Sequence, residues 1–414
     1  MVPNGWKKGV IEDIAKVSSG GTPSRQNDAY WLGGQIPWVT TTEVKFGVIK
    51  DTEQKITEAG LKNSSAKLFP KDTILMAMYG QGKTRGQVAK LGIEASTNQA
   101  CAALLLNDGF EVDYYYQYLV SQYENIRELA NSGGQQNLSA GIIKSIHIPI
   151  PPQLEQRKIA KVLSTWDKAI STTERLIDNS KQQKKALMQQ LLTGAHAQRK
   201  RLLDDSGKPF EGEWEEVKLG ELGTTFTSLT GKTKSDFGSG KLYVPYINIF
   251  KNASVDINHL ERVNISENER QNEVKFGDIF FTTSSETPEE VGMSSVMLDM
   301  PNEAVYLNSF CFGFRLHSFE QATPIFMKHI LRSSSVRRFI SILAQGATRY
   351  NLSKTQLLKV KISLPKKEEQ QKIASVLNNA DKEIELLEQQ LADLKQEKKA
   401  LMQQLLTGKK RVLI

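Results

Sequence analysis

The stretch best equipped for chemistry is YGQGKTRGQ (79–87). Its Gly82-Lys83-Thr84 imitates the end of a phosphate-cradling loop, which requires Gly, four residues, then Gly-Lys-Ser/Thr. Ala77 stands where the first of those glycines belongs, so the pattern fails. A loop carrying Gln81, Lys83, Arg85 and Gln87 suits contact with a groove or a phosphate; its plain alternative is a solvated basic turn. The five histidines (His147, His196, His259, His317 and His329) show no HxxxH, HExxH or Cys-pair spacing, so no metal ligand is expected. His147, between Ile146 and Ile148, reads as the outward residue of a strand. There is no GxSxG elbow, no Cys–His arrangement, no NPPY-like motif of amino-methyltransferases and no PD…ExK nuclease core. The acidic pairs at 215–216 and 289–290 read as solvated faces. No catalytic residue is expected, and the chain is read as non-catalytic.

The elements that must hold these loops are written twice. KKALMQQLLTG occurs at 184–194 and again at 398–408. At the same offset EQRKIAKVL (155–163) faces EQQKIASVL (369–377), Pro151 faces Pro365, and Asn137-Leu138-Ser139 faces Asn351-Leu352-Ser353. Solenoid repeats recur every few tens of residues, so so long a period means two copies of a larger unit. At 414 residues, 39% apolar and 24% charged, the chain is globular in composition and long enough for several domains. No apolar run reaches membrane-spanning length, and MVPNGWKKGV lacks a secretory h-region, so no membrane association is expected. Cys101 and Cys311 lie at matching points of the copies and read as buried core thiols in a reducing, cytoplasmic protein. The net charge is +8, but residues 1–150 carry only +1 and 201–363 carry −1, whereas 151–200 carry +6. Binding of a polyanion by the large blocks must therefore use local patches.

Alternating steps of four and three trace an apolar stripe through each repeated segment. In the first it runs Ile159, Leu163, Trp166, Ile170, Thr173, Ile177, Ser180, Lys184, Leu187, Leu191. In the second it runs Ile373, Leu377, Ala380, Ile384, Leu387, Leu391, Leu394, Lys398, Leu401, Leu405. Ten layers at period 3.5 predict a coiled-coil seam; an amphipathic helix lying on a globular core is the alternative. Pro151-Pro152 and Pro365 precede the helices, and Gly194 and Gly408 end them. Antiparallel pairing is expected, since parallel pairing would stretch the linker nearly taut, and it implies pseudo-two-fold symmetry. With ends aligned, Lys398 would then lie on the Trp166 indole and Lys184 against Ala380.

The organisation expected is a first α/β block at 1–150, a helix at 151–194, a polar linker at 195–212, a second block at 213–364 and a second helix at 365–408. Each block pairs a similar opening (5–15, 213–223) with a proline-containing strand (36–44, 243–250), a turn and strand (71–78, 277–284), the cysteine strand and a helical run (113–130, 324–343). Each closes on NLS, a turn of helix capped in the second block by Ser353 and Gln356, and a strand. Strands outnumber helices, so each block reads as mixed α/β (α+β). Between these landmarks the loops differ: GGTPSRQNDAYWLGG (20–34) has no counterpart in SLTGKTKSDFGSGK (228–241).

Two variable blocks, each followed by P-x₃-EQ-x-KIA…ALMQQLLTG, resemble the specificity subunit of a type I restriction-modification enzyme, and the resemblance covers nearly the whole chain. GGTPSR…YWLGG…IPWV (20–39) and GGQQNLS (133–139) with IPIPPQLEQRKIA resemble the opening and close of its target recognition domains. The resemblance implies that each block reads half of a bipartite double-stranded DNA site while the helices form an antiparallel spacer. It also implies that two methyltransferase subunits dock on the helices, bringing S-adenosylmethionine chemistry on adenine. Restriction subunits, which translocate and cleave DNA with ATP and Mg, would join them. No cofactor belongs to this chain.

Major-groove readout uses Arg or Lys on guanine and Asn or Gln on adenine. The divergent polar loops supply such candidates: Thr22, Ser24, Arg25, Gln81, Lys83, Arg85, Gln135 and Gln136 in the first block. The second block supplies Lys232, Lys234, Lys251, Asn252, Ser285, Arg349 and Tyr350. The rival reading is a non-catalytic adaptor, two α/β protein-interaction modules on a coiled coil.

Overall fold

A computed structural model describes residues 3–80, 83–129, 137–192, 201–346 and 349–413. It divides into two compact units, Met1–Arg175 with Gln389–Ile414, and Leu176–Glu388. The division falls inside the long helices and not at their starts. Each unit thus holds one block, the first half of the helix that follows it, and the second half of the other helix.

In the first unit the strand Cys101–Leu106 runs antiparallel between Ala15–Ser19 and Ile74–Ala77, and Val88–Leu91 and Val48–Ile49 extend that sheet. A second sheet orders Gln54–Ile56, Ile36–Val39, Ala95–Thr97 and Leu68–Phe69. Lys7–Val10 pairs with His147–Ile150, tying the start of the block to its end. The second unit repeats the frame. Cys311–Leu316 lies between Gly223–Thr227 and Ile279–Thr282, and Glu215–Lys218 closes against Lys361–Leu364. The mixed α/β class is the one expected. Both cysteines are buried and free. Burial pushes the Cys101 thiol up to about 12 and raises that of Cys311, so neither is a ready nucleophile. His147 faces outward, as its alternation with isoleucines implies.

Three expectations change. YVPYINIF is a strand only to Val244; Pro245 then starts a short helix, Tyr246–Lys251. IPWVTTTEV is a strand only to Val39, because the Thr40 and Glu43 side chains cap a turn of 3₁₀ helix. The helical runs are each broken in two: Val112–Ser121 with Tyr123–Leu129, and Pro324–Ile330 with Ser334–Leu343. In the second, Ser333 accepts a hydrogen bond from the Val336 N–H, and such capping starts a new helix.

The long helices are Gln153–Leu191 and Lys367–Leu405, 39 residues each. Gly408 ends the second with φ +71°, a left-handed conformation that favours glycine; Gly194 lies outside the described residues. Every residue of the two expected stripes is buried or half-buried. Pairing is antiparallel in both units. In the first, Lys395 Nζ lies 2.8 Å from Glu174 and Lys398 Nζ 2.6 Å from Asp167. In the second, Lys181 Nζ lies 2.7 Å from Glu388, Ser180 donates to Glu383 at 2.9 Å, and Lys184 pairs with Asp381. Asp167–Lys398, Lys184–Asp381 and Ser180–Glu383 match the expected register within one residue. Lys395–Glu174 and Lys181–Glu388 reach about one turn further along the partner helix, and the lysines choose partners other than those expected. Lys398 takes Asp167 and not the adjacent Trp166 ring, because a half-buried ion pair outweighs an indole face worth about 0.5–1 kcal/mol. Lys184 takes Asp381 beside Ala380, whose methyl group offers an ammonium nothing. The helix starts also serve the blocks: Ile159 and Leu163 join the first block's core, and Ile373 and Leu377 the second's. The seam and the amphipathic-helix readings therefore each describe part of the helix.

The repeated Glu-Gln of EQRKIA and EQQKIA has a structural task. Gln156 accepts from the Glu111 N–H and donates to the Pro151 carbonyl; Gln370 accepts from the Thr323 N–H and donates to the Pro365 carbonyl. Glu155 is buried and takes Arg411, from the tail after the second helix, with Trp6 Nε1 at 3.2 Å. Glu369 is buried and takes Arg201, from the segment after the first helix. The same clamp closes both units: Arg411 donates to the Asn4 carbonyl and Arg201 to the Gly212 carbonyl. Lys372 and Asp205 add an ion pair at 2.7 Å, so the latter part of the segment read as a linker is docked.

Candidate nucleic-acid interface

In each block three segments meet at the end of one strand. In the first, the Met78 N–H donates to the Ala100 carbonyl and the Leu138 N–H to the Met78 carbonyl. In the second, the Thr283 N–H donates to the Phe310 carbonyl and the Leu352 N–H to the Thr283 carbonyl. The loop leaving the strand, the turn before the cysteine strand and the NLS segment are thereby held together twice by equivalent backbone bonds.

Around the first of these sites Thr22 donates to the carboxamide oxygen of Gln99, which tethers GGTPSR to the turn. The GGTPSR segment is tightly built. A side chain at Gly20 would place Cβ 2.1 Å from the Thr97 carbonyl oxygen, and one at Gly21 2.3 Å from the Ser65 backbone. The indole N–H of Trp38 donates to the Gly21 carbonyl at 3.0 Å and that of Trp31 to the Ser24 carbonyl at 2.9 Å. Arg25 is exposed, 3.9 Å over the Trp31 ring and 4.8 Å from that of Trp38, with Nη1 on Gln54 at 2.7 Å. It has no carboxylate partner among the described residues. Lys83 is exposed, and its carbonyl accepts from the Tyr123 hydroxyl. Ser24 is exposed, and Thr22 and Arg85 are half-buried. Gln81, Gln135 and Gln136 lie outside the described residues.

In the second block the structure brings together Ser285, Arg349 and Tyr350. Tyr350 sits opposite Ser285 in a short antiparallel ladder, and Arg349 Nε donates to Ser284 Oγ at 3.2 Å. Ser285 donates to Glu290 at 3.2 Å, so the acidic pair read as a solvated face flanks the candidate site. Lys251 and Asn252 stand apart, lining a cleft with Asn258 and His259; Asn252 donates to Asn248 at 3.0 Å. Lys234 is exposed on its turn. Lys232 is committed elsewhere: its side chain is buried and pairs with Glu269 at 2.5 Å, holding that carboxyl below its ordinary range. Such a cation offers little to an external ligand. Gln99 and Phe310 escaped the sequence reading because their short turns carry no recognised binding motif, and Glu290 reads from sequence only as part of a solvated acidic pair. Among the described residues no cluster of histidine, cysteine and carboxylate side chains could hold a metal ion, and no helix is long and apolar enough to cross a membrane.

A duplicated α/β frame that presents unlike polar loops, each copy followed by a long helix, defines the fold class of this chain. Residues 3–180 and 211–396 match the family described as Type I restriction modification DNA specificity domain, and the chain belongs to that family. It carries two copies of that domain. It is similar to the MjaVIII specificity subunit of Methanocaldococcus jannaschii, 26% identical over 440 residues that span 99% of this chain and 94% of that one. It is 32% identical over 191 residues to the MjaIX specificity subunit of the same organism, a match spanning 45% and 42% of the two chains. The fold is similar to the type I S subunit from M. genitalium, with TM-score 0.58, 16% identity and coverage of 98% and 96%. It is likewise similar to a chain solved in work on assembly and conformational transition of the type I R-M system, with TM-score 0.60, 16% identity and 98% of both chains.

Proposed function

We propose that each block reads one half of a bipartite duplex site and that the paired helices fix the gap between the halves. What supports this is the same three-segment convergence built twice with different side chains, as two readers of unlike half-sites require. Arg25 and Lys83 in the first block, and Arg349, Lys251 and Lys234 in the second, provide phosphate or guanine contacts. Ser285, Tyr350, Asn252, Ser24 and Thr22 provide shorter polar contacts. The helices dock two methyltransferase subunits, which bring S-adenosylmethionine, and restriction subunits join with ATP and Mg. This chain supplies only the address, and it works in the cytoplasm beside the chromosome. Co-expression with its methyltransferase, followed by mapping of methylated adenines, tests the reading. A two-part motif with a fixed gap is expected; a complex that binds duplex without sequence preference, or a chain that captures no methyltransferase, would overturn it in favour of an adaptor.

A further inference from the structure

Asn98-Gln99-Ala100 and Asn308-Ser309-Phe310 are one turn, built twice to the same plan. Asn98 Oδ1 accepts from the Ala100 N–H at 3.1 Å and Asn308 Oδ1 from the Phe310 N–H at 2.9 Å. The Asn98 N–H donates to the Val39 carbonyl and the Asn308 N–H to the Val244 carbonyl. The following cysteine N–H returns to the asparagine carbonyl in both, at 3.2 and 3.0 Å. With the bonds from Met78 and Thr283, each turn has four equivalent bonds, two closing it on itself and two holding it to neighbouring segments. Only the tips differ. Gln99 and Ser309 are exposed, and Phe310 keeps 63% of its surface in solvent although Phe310 follows a strand whose other side chains are buried. A large aromatic so exposed on a rigid turn has no role in the core.

We propose that this turn is a specificity-determining element in each block, with Gln99 reading a base in the first half-site and Phe310 a base in the second. The inference rests on the DNA-reading function proposed above. Thr22 holds the Gln99 carboxamide oxygen through one lone pair, which leaves a second lone pair and two N–H donors. That set complements the N7 and N6 edge of adenine. Phe310 has no polar atom to offer, and its counterpart in a major groove is the thymine methyl group. A turn closed on itself by two bonds and anchored by two more lets the tip residue change without disturbing the fold, as an exchangeable reading position requires.

The test uses the full chain co-expressed with its methyltransferase, mapping methylated motifs for Gln99→Ala, Gln99→Glu and Phe310→Ala and recording the melting temperature of each. Gln99→Ala should lower discrimination at one adenine of the first half-site by roughly 5- to 150-fold, the range of one bidentate contact, and leave the second half-site intact. Gln99→Glu, which can accept but not donate, should shift the same position toward cytosine. Phe310→Ala should relax one thymine of the second half-site only. An unchanged motif, or an equal loss over both half-sites, would overturn the inference. If the unsubstituted chain directs no two-part motif, the parent reading fails instead, so the two failures are distinct.

Discussion

Replacing Arg411 by alanine isolates the clamp that closes the first unit. Glu155 has a side chain only 1% exposed, and Arg411 meets it through Nε at 2.7 Å and through a second nitrogen. Without the arginine, one donor remains, the Trp6 indole N–H at 3.2 Å. Removing one member of a buried ion pair costs about 3–5 kcal/mol, since the other charge stays buried. Arg411 is itself 43% exposed, so water enters the space it leaves and the loss falls below that range. Arg201→Ala should cost the second unit more, about 3–4 kcal/mol, because Glu369 has no donor besides Arg201 among the described residues. Calorimetry or hydrogen exchange that resolves the two units should show each substitution lowering its own unit. Combining Arg411→Ala with Glu155→Gln should recover much of the loss, since the neutral amide no longer buries a charge. A change below about 0.5 kcal/mol, or a double variant no better than the single, would refute the clamp.

The clamp also sets a pH dependence. Arg411 holds the Glu155 carboxyl below its ordinary range, so its stabilisation is full above the unfolded value of about 4.3 and is lost as pH falls through the lower folded value. The deficit of Arg411→Ala in unfolding measurements should therefore shrink below about pH 4; a deficit constant from pH 7 to pH 3 would contradict this. Inserting four residues between Ile177 and Lys184 adds about 6 Å of helix and roughly keeps its face. Methylome mapping should then show the gap grown by one or two base pairs with unchanged half-site bases; changed bases at a fixed gap would defeat the spacer reading. A fragment ending near Gly207 keeps the first block and one seam helix, and Arg201 of one copy can serve Glu155 of another as Arg411 does. Two copies should pair antiparallel, less stably than the native helices because Thr173 and Ser180 replace Leu387 and Leu394, and with methyltransferase should modify a palindrome of the first half-site. A fragment monomeric at micromolar concentration would show that the helices are not interchangeable.

What was legible in the sequence is what repetition and periodicity carry. The stripe from Ile159 to Leu191 gives a 39-residue helix, and the duplicated cysteine strands give two matching cores, because apolar spacing reports burial directly. Local polar geometry was less legible. Pro245 turns YVPYINIF into a helix, and Ser333 divides a helical run, because capping bonds override the apolar pattern. Side-chain partners were least legible of all. Lys398 lies one residue from its expected neighbour yet chooses Asp167, and Lys232 looks free in its loop until Glu269 arrives from 37 positions away. The reading turns, Asn98–Ala100 and Asn308–Phe310, share only an Asn-x-x-Cys spacing in the sequence; the identity of their backbone bonds in two blocks is what singles them out.

The same bookkeeping of partners decides how firmly the isolated chain can hold DNA. Several arginines of the second block are spent internally. Arg332 donates to the carbonyls of Ile249, Phe250, Asn252 and Ser294, Arg337 to those of Glu289, Val291 and Gly292, and Arg315 is paired with Asp278. Among the candidate loop residues, Arg25, Lys83, Lys234, Lys251 and Arg349 remain exposed and lack a carboxylate partner among the described residues. If all five met phosphates of a B-form duplex, log K would fall against log salt with a slope of about −4.5, at roughly −0.9 per contact. Affinity measured at several salt concentrations should give the isolated chain a slope no steeper than that, and a clearly steeper one for the complex with methyltransferase, whose own cations add contacts. Equal slopes would mean that the partner contributes no phosphate attraction, and a slope near −8 for the chain alone would mean that the lysine-rich helices, not the loops, lie on the DNA.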